Sequence, residues 1–114
     1  MKLADIKETL NATVFTGHNK LDIQVSGGAA SDLMSDLLRV PKEGTLLLTG
    51  LNNIQAIRTS IISGIAAVVF VRGKEPSPDM IGQAQENDLP LLSSPYNMYS
   101  SCGRLFNKGL KSIR

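Results

Sequence analysis

Apolar positions along the chain alternate between short runs rich in leucine, valine and isoleucine and segments in which they recur every three or four residues. That alternation is the pattern of a layered α/β domain. Leu3, Ile6 and Leu10 share one helical face and predict a helix over 3–10, with Asn11 as its stop. Residues 13–15 and 21–25 predict two short strands around the polar turn Thr16-Gly17-His18-Asn19-Lys20. Ser26-Gly27-Gly28 is expected to break the second of these, and Ser31 to open a helix through Arg39 with Leu33, Leu37 and Val40 facing inward and Pro41 ending it.

The second half repeats a strand-then-helix unit three times. Residues 45–48 predict a buried strand, followed by a helix whose core stripe holds Ile54, Ile57, Ile61 and Ile62 and whose stop is Gly64. Residues 66–71 are apolar throughout, as a parallel strand covered on both faces must be, and are expected at the centre of the sheet. Arg72-Gly73-Lys74-Glu75-Pro76 turns the chain outward, Ser77-Pro78 supplies a cap and a first-turn proline, and Met80, Ile81 and Ala84 line the next helix. Residues 89–92 predict the third strand. Ser93-Ser94-Pro95 is expected to start a last helix over about 96–106 with Met98, Cys102, Leu105 and Phe106 buried and Gly109 closing it. Right-handed crossovers then set the three strands side by side and parallel.

A length of 114 residues suits one domain spanning 1–114, and 42% apolar with 19% charged residues supports a packed core rather than disorder. The longest apolar run, 65–71, has seven residues against the roughly 20 a transmembrane helix needs, so no membrane span is expected. Asp5 and Glu8 interrupt what an export signal requires, which makes the cytoplasm the expected compartment. One cysteine and one histidine supply neither a disulfide nor a zinc site, and no cofactor or metal is expected. The net charge of +2 is unevenly placed: residues 1–103 hold eight Lys or Arg against ten acids, while Arg104, Lys108, Lys111 and Arg114 give a basic tail from about residue 107 and its approach no acid at all. With three Phe, two Tyr and no Trp there is no stacking platform for nucleic acid, and cations near a helix C-terminus answer its dipole. Nucleic acid is therefore not an expected partner.

In an open parallel sheet a ligand crevice forms beyond the carboxyl ends of the strands. That edge is expected to collect Thr49, Gly50, Asn52 and Asn53 after the first strand of the trio, Arg72, Gly73 and Lys74 after the second, and Ser93 and Ser94 after the third. Short donors, bare backbone and an arginine suit a small anionic or nucleotide-like ligand. Helix capping by Asn53 and Ser94 accounts for part of the same pattern. Ser26, Gly27 and Gly28 form a second candidate loop, equally readable as a tight turn, and neither a P-loop nor G-x-G-x-x-G is present. Cys102 has apolar neighbours at helical spacing and suits a core position better than a nucleophile. His18 sits in a polar turn, and Asp32 and Asp36, one turn apart, suit the helix dipole better than a metal.

The stretch Val25-Ser26-Gly27-Gly28-Ala29-Ala30-Ser31-Asp32, with residues 46–53, 68–73 and 89–92, resembles the DRTGG domain, a module similar to the amino-terminal domain of bacterial HPr kinase/phosphorylase. The resemblance covers nearly the whole chain. It implies a three-layer α/β/α fold with a mostly parallel central sheet, a regulatory or associative role without catalysis, a homodimer, and a protein partner. Typical members carry Gly-Asp-Arg and Thr-Gly-Gly after successive strands; here those positions hold Gly50-Leu51-Asn52 and Val71-Arg72-Gly73. The sequence thus points to a regulatory module with no catalytic residues, a stand-alone nucleotide or phosphometabolite sensor as the alternative, and a small enzyme using Ser94 or Cys102 as the third reading.

Overall fold

The computed structural model describes residues 1–38 and 43–113. Five strands form one sheet in the order β1-β5-β4-β3-β2: β1 (Thr13–Thr16), β2 (Gly27–Ala30), β3 (Thr45–Thr49), β4 (Ala67–Phe70) and β5 (Leu91–Ser93). Neighbours β2 to β5 are parallel, β1 joins β5 antiparallel, and β4 is central as expected. Side chains alternate across the sheet, which gives two cores. Leu46, Leu48, Val69 and Leu92 pack with α1 (Leu3–Thr9) and α5 (Met98–Asn107) on one face. Leu47, Val68, Phe70 and Leu91 pack with α2 (Met34–Leu37), α3 (Ile54–Ile62) and α4 (Pro78–Glu86) on the other. Helices on both faces of a mostly parallel sheet are the three-layer architecture that the strand-helix alternation requires.

Helix ends follow local chemistry. The Ser77 hydroxyl accepts from the Met80 amide at 3.4 Å and the Asn53 side chain accepts from the Ala56 amide at 2.9 Å, while Gly64 and Gly109 take positive φ just past their helices. The last helix starts later than expected: its cap is Asn97, whose side chain accepts from the Ser100 amide at 2.8 Å, and not Ser94.

Other expectations change for physical reasons. Residues 21–25 do not form a strand; their backbone instead covers the start of α1, with the Leu3 amide donating to Ile23 O at 3.1 Å and the Val25 amide to Met1 O at 2.7 Å. Gly27 and Gly28 do not break a strand but begin one. A Cβ on Gly27 would lie 2.8 Å from Ile113 Cγ2, and the Gly28 amide donates to Lys111 O at 2.9 Å, so bare backbone here lets the C-terminal segment dock along the β2 edge. The helix expected over 31–39 is the single turn α2; Leu37 is buried, Leu33 is 59% exposed, and Arg39, Val40 and Pro41 lie outside the described residues. Ile62, one residue beyond Ile61 and so turned about 100° from the stripe, is 79% exposed.

Candidate functional site

The parallel strands end nearly flush, since Thr49 is level with Phe70 and Phe70 with Ser93. Three connections therefore leave the sheet at one rim. They are tied together there by polar contacts. Asp32, just past β2, accepts from the Gly50 amide at 2.6 Å and from the Thr49 hydroxyl at 3.1 Å. Lys74 Nζ donates to Gly50 O at 3.0 Å, Asn52 donates to Glu75 O at 3.1 Å, and the Ser93 hydroxyl donates to Lys74 O at 2.6 Å. These bonds connect the turns after β2, β3, β4 and β5 into a single cross-braced edge.

Arg72 sits in the middle of that edge in an unusual backbone state. Its φ is 61°, and Gly73 follows at 69°. A left-handed arginine costs on the order of 1 kcal/mol. Two backbone bonds hold the turn in place: the Arg72 amide donates to Tyr96 O and the Gly73 amide to Ser94 O, both at 2.8 Å. The guanidinium lies against Gly50, where an added Cβ would be 2.9 Å from Nη2 and would shift the arginine's tip. Arg72 remains exposed, and among the described residues it forms no ion pair.

The structure thus brings Thr49, Gly50, Asn52, Asn53, Arg72, Gly73 and Ser93 to one rim. It does not bring Ser26, Gly27 and Gly28 there. They lie at the amino-terminal end of β2, where Ser26 donates to Glu43 O at 3.1 Å and Gly27 and Gly28 pair with Thr45 and Leu46. Ser94 reaches the rim through its backbone carbonyl alone: its buried hydroxyl turns away and donates to Leu10 O at 2.7 Å.

The model of the DRTGG domain matches residues 5–107. The chain belongs to the DRTGG domain family. No curated protein matches it. Among solved structures, the CBS and DRTGG domains of the regulatory region of Clostridium perfringens pyrophosphatase, complexed with the activator diadenosine tetraphosphate, superpose with a TM-score of 0.74 at 15% identity. The match covers 91% of this chain and 45% of that one, so this chain spans about half of the length it matches.

In this DRTGG domain Asp32, read from the sequence as a helix-dipole residue, joins Lys74 at the rim. Asp32 holds the turn after β3, and Lys74 closes over the same turn. The usable signal was their position, an acid just after one strand and a base just after another, on neighbouring exits of the same sheet. Hydroxyl chemistry is constrained, because Ser93 and Ser94 both donate to backbone carbonyls. Burial raises the pKa of the Cys102 thiol on α5, which keeps it protonated at neutral pH. No helix is long and apolar enough to cross a membrane among the described residues.

Proposed function

We propose that the chain is a non-catalytic regulatory and association module that acts as a homodimer and holds a small anionic or nucleotide-like ligand at the strand-end rim. The observation that carries the reading is Arg72: an exposed guanidinium without a carboxylate partner among the described residues, on a left-handed backbone, seated on the bare backbone of Gly50. An unpaired fork of donors suits a phosphate or carboxylate, and the first turn of α3 opens its backbone amides toward the same edge. The engagement of Ser93 and Ser94 with carbonyl oxygens and the protonated state of Cys102 support a role without a nucleophile. The pyrophosphatase regulatory region, crystallised with a nucleotide activator, supports the regulatory half of the reading.

The test is calorimetry and thermal unfolding with diadenosine tetraphosphate, ATP and inorganic phosphate as probes. A probe at about a hundredfold excess over its Kd stabilises by about 2.7 kcal/mol, a rise of several degrees in Tm. The rise is expected to vanish in Arg72→Ala and persist in Lys111→Ala. Equal loss in both variants would assign the effect to the basic tail and sink the rim reading.

A further inference from the structure

Away from the rim, α5 carries an apolar face that the fold leaves uncovered. Tyr99, Cys102, Gly103 and Phe106 follow at i, i+3, i+4 and i+7 and so share one side of the helix. Tyr99 is 91% and Phe106 67% exposed, against the expectation that Phe106 is buried. Beside them runs an open groove of about 480 Å³, floored by Gly28, Ala29 and Ala30 of β2 and closed below by Leu110. Among the described residues, Lys111 is the one charged residue lining it. Arg104 and Lys108 stand on the other flank of α5, where Arg104 lies 3.8 Å above the Tyr96 ring.

Three features select the occupant. The patch carries a projecting aromatic ring and a vacant groove side by side, which is the self-complementarity that a two-fold interface needs, because each copy presents both knob and hole. Gly103 has nothing within 4 Å of where its Cβ would stand, so the helix surface there is low and open to a ring arriving from outside. Area is the third feature. The two aromatic side chains leave on the order of 300 Å² in water. With the groove floor, a pair of copies buries on the order of 1,000 Å², the lower limit for a specific interface. The face carries Lys111 on its lining and Arg104 and Lys108 on its flank with no acid among residues 104–114, so the apolar contact must outweigh a like-charge repulsion that salt screens.

We propose that this face is the interface of the homodimer: α5 packs on α5 of a second copy across a two-fold axis near Gly103, with Tyr99 of each copy seated in the groove of the other. The proposal rests on the association half of the functional reading and names its surface. Sedimentation equilibrium of the full chain tests it on the wild type, Gly103→Glu, Tyr99→Glu and Lys108→Ala, with far-UV circular dichroism to verify folding. Gly103→Glu replaces a glycine by a better helix former at an open position, so it retains the fold. The wild type is expected at twice 12.2 kDa at micromolar concentration. Both glutamate variants are expected to dissociate with a Kd raised at least about tenfold, as loss of a central aromatic anchor requires, and Lys108→Ala to stay dimeric. A dimer unchanged in Gly103→Glu and Tyr99→Glu overturns this surface while leaving association intact. A wild type that is monomeric throughout overturns both and gives the groove to a different protein or an apolar small molecule.

Discussion

The rim and the α5 groove lie on one sheet and differ in how far the fold has used their chemistry. At the rim nearly every polar group is already engaged: Asp32 with Gly50 and Thr49, Lys74 with Gly50, Asn52 with Glu75, Ser93 with Lys74. Among the described residues the Arg72 guanidinium makes no hydrogen bond or ion pair. In the groove almost nothing is engaged, since Tyr99 and Phe106 project into water above a floor of glycine and alanine. A pre-braced polar edge suits the proposed anion site, because binding there need not order the loops. An unfilled apolar groove favours association, because covering it removes apolar surface from water. The proposed ligand and the proposed second copy would thus occupy separate regions of the molecule.

The strongest way to break the comparison is Leu110→Ala. Leu110 is buried in the α1/α5 core, lines the groove, and leads into the segment docked on Gly28. Truncation is expected to destabilise by about 2–5 kcal/mol and to weaken dimerisation, measured by urea unfolding and sedimentation. Probe binding at the rim, followed by calorimetry on the folded fraction, is expected to survive. Its loss would show that the two regions are one unit. Asp32→Ala is the converse. It leaves the Gly50 amide and the buried Thr49 hydroxyl without their shared acceptor and is expected to cost about 1–3 kcal/mol and abolish probe binding, with the sedimentation profile unchanged.

Arg72→Gly sharpens the rim side. Glycine relieves the left-handed strain at φ 61°, so a gain of up to about 1 kcal/mol in unfolding free energy is expected. The same variant is expected to lose the probe response. Stability rising as binding falls would mark Arg72 as retained for recognition rather than for folding. A loss of stability instead would mean that the guanidinium's packing on Gly50 outweighs the strain.

The difference between the regions also explains what the sequence made legible. β3, β4 and β5 were readable because leucine and valine runs covered on both faces have few alternatives, and the rim followed from where those runs end. β2 was not readable: Gly27, Gly28 and Ala29 have no strand propensity, and their extended state comes from pairing with Thr45, Leu46 and Leu47 on one side and with Lys111 and Ile113 on the other. Ser94 looked like a rim donor because the sequence places it beside Ser93, yet adjacent residues after a strand point apart, and its hydroxyl meets Leu10 across 84 residues of chain. Phe106 looked like core because it continues the apolar spacing of α5. A helix with one face on the sheet and another on a groove carries two stripes, and spacing alone does not tell which is covered by the same chain.

The smallest expected effect concerns Cys102, which stands on the groove wall and is half-buried in the single chain. Burial raises its thiol above the ordinary value of 9.0 by disfavouring the thiolate. A pKa raised on folding contributes stability below the unfolded-state value and loses it as pH rises through the folded one. Wild type is therefore expected to lose slightly more stability than Cys102→Ala between neutral pH and the alkaline side of 9.0, read as the difference in Tm between the two. If a second copy covers the groove, the thiol is buried further in the dimer. The midpoint of the pH profile for iodoacetamide alkylation then falls toward the ordinary thiol value in Tyr99→Ala, which uncovers the wall without adding a charge beside the sulfur. A midpoint identical in wild type and Tyr99→Ala would leave Cys102 shielded by its own chain alone and would remove the groove from the interface.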